Sequence, residues 1–115
     1  MGREFFLAYS AQCRLLLPAF IYTLSIVSYA QEVITTDTHR LDQVADGVYF
    51  ATGIGDIYTM SNALIIERED DIVIVDSHIT PAAGRALLDS IRTVSDKPVT
   101  TLINSHFHYD HSNGT

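Results

Sequence analysis

Two short runs, Ala63-Leu64-Ile65-Ile66 and Ile72-Val73-Ile74-Val75, are apolar at every position. A strand that buries one face alternates apolar and polar residues, whereas a strand covered on both faces does not. The runs are therefore read as central strands over residues 62–67 and 72–76, joined by the solvated charged turn Arg68-Glu69-Asp70-Asp71. Thr80-Pro81 then offers a capping hydroxyl and a proline at the first helical position. Ala83, Ala86, Leu87, Ile91 and Val94 recur at helical spacing, so the helix runs to about residue 94 with one core-facing stripe. Ser95-Asp96-Lys97-Pro98 breaks it, and residues 99–104 form a further strand. Strand, helix, strand with buried strands is a βαβ unit, and sheets of this kind place their sites beyond the strand ends. The fold class is α/β, grading into α+β because a hairpin precedes the unit. That hairpin is read over residues 41–45 and 48–52, on either side of the turn dipeptide Asp46-Gly47.

The last strand delivers His106-Phe107-His108-Tyr109-Asp110-His111. Three imidazoles and a carboxylate within six positions are ligands that zinc accepts readily, and iron or manganese less selectively. In extended chain, residues two apart point the same way, so His106 and His108 can offer both rings to one ion. A turn after them brings Asp110 and His111 to a neighbouring point, an arrangement suited to two metals. Phe107 is expected to pack inward. Ser105 and His106 are adjacent on a strand and so face opposite ways, which argues against a Ser–His proton transfer. Asp76 closes a buried strand and needs a partner, or serves as a turn or capping residue. Gly53-Ile54-Gly55 lacks the lysine and helix start of a phosphate loop.

His-x-His-x-Asp-His after a strand resembles the signature of the metallo-β-lactamase superfamily, and the resemblance extends over residues 44–115. It implies a four-layer αββα sandwich, of which this chain supplies roughly the first half. It implies that His106 and His108 hold a first metal and that Asp110 and His111 hold a second, zinc in both places, with iron or manganese as alternatives. It implies catalysis by a metal-activated hydroxide with Asp110 orienting the nucleophile and moving its proton, and support of the metal loop by Asp76. The bond cleaved is then an ester, thioester, lactam, lactone or sulfate-type bond in a small molecule. His78 and Tyr109 are candidates for the cleft wall. Tyr109 stands where relatives often carry glycine, and tyrosine resists positive φ, so the turn must differ there. The family's remaining ligands are expected downstream of Thr115, so the chain is read as the N-terminal part of a longer hydrolase. The alternative is a non-catalytic half-domain that binds metal or pairs with a second chain.

Residues 1–30 differ in kind from the rest. Arg3 and Arg14 precede an apolar run over residues 15–27, and Ser28-Tyr29-Ala30 offers small residues at the positions a signal peptidase reads. Cleavage after Ala30 is expected, giving a periplasmic or secreted protein without stable membrane insertion; an uncleaved N-terminal anchor is the alternative. Residues 31–40 are read as a flexible polar arm and its His39 as solvated and without a role. The portion 31–115 carries five basic and thirteen acidic residues, a formal charge of −8, which disfavours nucleic acid as a partner. Cys13 is the chain's single cysteine, so the mature piece offers neither a disulfide nor a thiolate ligand. Oligomeric state is not legible in the sequence.

Overall fold

The computed structural model describes residues 31–115; the expected leader lies outside the described residues. Six strands form one sheet in sequence order: β1 (Val33–Thr35), β2 (His39–Ala45), β3 (Val48–Gly53), β4 (Ala63–Glu67), β5 (Ile72–Val75) and β6 (Val99–Ile103). The first five are antiparallel neighbours, and β5 pairs with β6 in parallel across helix α1 (Pro81–Ile91). A four-residue helix, α2 (Tyr109–Ser112), follows β6. No helix among the described residues is long and apolar enough to cross a membrane.

Each element follows from its residues. The β2–β3 hairpin turns at Asp46-Gly47, where Gly47 takes φ 66°, a conformation with no steric cost for glycine. Thr80 caps α1 by accepting a hydrogen bond from the Ala83 amide at 3.1 Å, with Pro81 at the first helical position. The helix ends at Ile91, one turn before residue 94, where a run of three turn residues takes over.

The core lies between the sheet and α1. Leu87 and Ile91 of the helix pack with Leu41, Tyr49, Ala51, Ala63, Ile65, Ile72 and Ile74, all buried. Burial of the leucine and isoleucine side chains among them stabilises by about 1.5–3 kcal/mol each, before the entropy of ordering is subtracted. On the other face, the register aligns Phe50, Leu64, Val75 and Ile103 in one row across four strands. Phe50 and Ile103 of that row are exposed, and Leu64 and Val75 half-buried. Thus β4 is covered on one side among the described residues, although its run Ala63-Leu64-Ile65-Ile66 is that of a strand covered on both.

Residues 31–40 are not an arm. They supply β1 and the start of β2, and Val33, Ile34 and Thr35 pair with Asp42, Leu41 and Arg40. Thr36 holds the corner, its hydroxyl donating to the His39 carbonyl and accepting from the His39 amide. Polar threonine-rich sequence there satisfies a tight turn rather than solvent.

At the opposite end of the chain, Gly114 passes between Ser77 and Gly84 of α1. A Cβ on Gly114 would collide with the Ser77 carbonyl, and one on Gly84 with the Gly114 carbonyl. The Gly114 amide donates to the His78 carbonyl at 3.0 Å.

Candidate metal centre

The histidine-rich loop sits beyond the C-terminal ends of β5 and β6, where a βαβ unit presents its sites. Its anchor is Asp76, the first residue after β5. Asp76 takes φ 66°, an uncommon conformation that aspartate tolerates better than most side chains. Its Oδ1 accepts the Ser105 amide at 2.7 Å, and its Oδ2 accepts the Ser105 hydroxyl and His111 Nδ1, both at 2.8 Å. Burial alone would raise the Asp76 pKa, but the hydrogen bonds from the Ser105 amide, His111 and the Ser105 hydroxyl outweigh it and hold the carboxyl below its ordinary value.

These contacts fix two tautomers. A carboxylate only accepts, so His111 carries its proton on Nδ1. The Ser105 hydroxyl has spent its one proton on Asp76, so His106 Nδ1, 2.9 Å away, must donate to Ser105. Both rings are left with Nε2 as the free basic nitrogen. This corrects the strand-based expectation that Ser105 and His106 face apart. β6 ends at Ile103, and Ser105 lies in a bend where alternation no longer applies.

The loop draws its donors together. The ring centroids of His106 and His108 are 4.7 Å apart, and those of His106 and His111 are 4.0 Å apart. Asp110 Oδ2 lies 3.3 Å from His111 Nε2. Since His111 donates through Nδ1, this last contact sets a nitrogen lone pair against a carboxylate oxygen. Two acceptors face one another, and a proton or a metal cation between them resolves the conflict. The donor set of imidazoles and a carboxylate therefore fits a metal ion in its chemistry. Among the described residues, no three donors converge tightly enough to enclose one.

Helix α2 begins at Tyr109, which is helical rather than left-handed, so tyrosine in place of glycine meets no steric conflict. Tyr109 is exposed at the loop surface. Phe107 is 87 % exposed and does not pack inward, because the chain has left the sheet before reaching it. His78, a candidate for the cleft wall, is fully buried with φ 69°, and its left-handed backbone turns the ring into the interior. His39, expected in solvent, is also fully buried, and its Nε2 lies 3.1 Å from His78 Nε2. A signal for this was present: His39 is two residues before Leu41 on one strand and so shares its core-facing side.

The sequence model of the metallo-beta-lactamase superfamily matches residues 57–115. The chain belongs to that superfamily. Similar proteins include a linear primary-alkylsulfatase from Pseudomonas sp. (strain ATCC 19151), 38 % identical over 50 residues, or 44 % of this chain and 10 % of the relative. A second linear primary-alkylsulfatase, from Pseudomonas sp., is 36 % identical over 75 residues, covering 64 % of this chain and 10 % of the relative. An alkyl/aryl-sulfatase from Saccharomyces cerevisiae is 35 % identical over 77 residues, covering 66 % of this chain and 11 % of the relative. The chain thus spans about a tenth of the length of the curated relatives it matches. Among solved structures, a metallo-beta-lactamase from Erythrobacter litoralis superposes with a TM-score of 0.59 at 24 % identity, over 72 % of this chain and 38 % of that one. The family match thus takes in β4, β5, α1, β6 and the histidine loop.

Proposed function

We propose that this chain is the N-terminal part of a metal-dependent hydrolase that cleaves a small sulfate ester. The observation that carries the metal reading is the Asp76 carboxylate, which ties His111 directly and His106 through Ser105, and so leaves two free imidazole nitrogens beside Asp110. Support for a sulfate ester comes from the alkylsulfatases to which residues of this chain are similar. His106 and His108 would hold one zinc ion, and Asp110 and His111 a second. When bound, such ions supply Lewis acidity and make a water-derived nucleophile available at neutral pH. Asp76 and Ser105 keep two ligand rings in one tautomer and orientation. Asp110 orients the nucleophile and takes up its proton at a carboxylate oxygen. Tyr109, exposed beside them, lines the approach to the site. The apolar run and small-residue site of residues 1–30 support export, with cleavage after Ala30.

The test uses the full-length protein. Its metal content is measured, then sulfate release from a primary alkyl sulfate is compared with hydrolysis of a lactone and a β-lactam. Zinc near two equivalents and preferential sulfate release are expected, with activity lost on chelation and restored by zinc. A protein that binds no metal sinks the reading; one that binds metal but prefers the lactone or β-lactam sinks the sulfate assignment.

A further inference from the structure

The buried pair His39–His78 belongs to none of the contacts that hold the metal loop to Asp76, yet it leads to the same loop from below. Both rings are fully buried and lie within 25° of parallel. His78 Nδ1 is 3.1 Å from the Ser61 carbonyl and 3.4 Å from the Ser61 hydroxyl. The Ser61 hydroxyl donates to the Asp110 carbonyl. A carbonyl only accepts, and the serine proton is already committed, so His78 must carry its proton on Nδ1. His78 Nε2 is then an acceptor, which requires His39 to donate from its own Nε2 across the 3.1 Å contact. His39 Nδ1 is in turn an acceptor, served by the Thr38 hydroxyl at 3.0 Å; the Ser90 hydroxyl of α1 donates instead to Thr36 Oγ1 at 2.9 Å, since the Thr36 proton goes to the His39 carbonyl. Every proton in the row points the same way, from Thr38 at the start of β2 towards Asp110.

We propose that His39 and His78 are positioning residues: a one-directional hydrogen-bond relay that, through Ser61, fixes the Asp110 backbone and with it the second half of the metal loop. Burial, with the neighbouring ring second in importance, holds His39 down to about 4, and burial likewise lowers His78, so both rings are neutral at pH 7 as the relay requires. The relay accounts for the two histidines being buried with no ion pair among the described residues, and for the left-handed backbone of His78, which aims its ring at Ser61 rather than at solvent.

The inference rests on the metal reading only for its consequence, so its test has a part that needs no metal. In metal-free full-length protein labelled in histidine and in the Asp110 carbonyl, long-range nitrogen NMR should show His78 protonated on Nδ1 and His39 on Nε2. The Asp110 carbonyl carbon resonance should shift in Ser61→Ala and in His78→Leu. It should stay near its original place in His78→Asn, because asparagine tolerates positive φ and its amide can donate as Nδ1 does. Zinc titration is the second readout: His78→Leu should weaken the second equivalent about tenfold or more, and His78→Asn by less than about threefold. The opposite tautomer at His78, or an Asp110 resonance that ignores His78→Leu, overturns the relay. Equal zinc affinities in the Leu and Asn variants overturn its bearing on the loop. If His78→Leu does not fold, the tautomers of the unsubstituted protein decide. If the unsubstituted protein binds no zinc, the metal reading falls while the resonances still judge the relay.

Discussion

The molecule holds two groups of histidines that share almost no physics. His106, His108 and His111 lie beyond the sheet with their rings crowded together, and one carboxylate steers two of them, His111 directly and His106 through Ser105. His39 and His78 are sealed inside, with hydroxyls, a carbonyl and each other as ring partners among the described residues. The surface group leaves nitrogens free for a ligand; the buried pair spends each nitrogen on an internal hydrogen bond. Clustering in sequence marks the first group, whereas the second is assembled from residues 39 apart. The contrast shows that the number of histidines near a site says less than which of their nitrogens remain unused.

That contrast can be broken in several ways. On the proposed function, the largest effect is expected from His111→Ala, which removes a free nitrogen: on the order of a thousandfold in kcat/KM for the full-length protein, about 4 kcal/mol, with zinc content halved. A residual rate within tenfold would move the metal centre elsewhere. Next comes the acid response of the buried pair. The folded state holds His39 near 4 while the unfolded chain binds its proton near 6.5, so between those values the unfolded state carries more protons. The contribution of His39 to stability is therefore fully present above pH 6.5 and is lost as pH drops towards 4, by on the order of 3 kcal/mol. Urea midpoints of the wild type and His39→Gln, compared at pH 7 and 5, measure it; parallel losses in both would contradict the assignment.

Smaller effects sharpen the role of the carboxylate. Asp76→Asn keeps the size of the side chain but lets His111 rotate and change tautomer, so zinc affinity should fall roughly 10–100-fold. Competition with a chelator of known affinity reads this directly, and an unchanged affinity would reduce Asp76 to a turn residue. Thr80→Ala, which touches neither histidine group, should cost about 1 kcal/mol through loss of the helix cap and leave zinc binding intact.

Much of this architecture was legible in the residues. The apolar runs place β4 and β5, Thr80-Pro81 fixes the start of α1, and Asp46-Gly47 marks the hairpin, because each is decided by local chemistry. The errors arose where tertiary contact overrides local character. His39 looked solvated because its neighbours are threonines, but those threonines serve the corner and the ring itself. His78 looked like a cleft residue because it follows Asp76, yet its positive φ reverses its direction. Strand alternation gives Phe107 an inward side, but the strand ends at Ile103, before that residue is reached. Ser105 gained its contacts for the same reason.

One close approach carries a consequence for how variation can enter this protein. Where Gly114 passes between Ser77 and Gly84, three stretches of backbone meet with no space for a methyl group. Ser77 lies between Asp76, which serves the surface histidines, and His78, which serves the buried ones. A single added carbon at position 114 would therefore press on both groups together, although residue 114 touches no candidate ligand. Lineages that keep this backbone crossing should be confined to glycine there, whichever histidine group they retain.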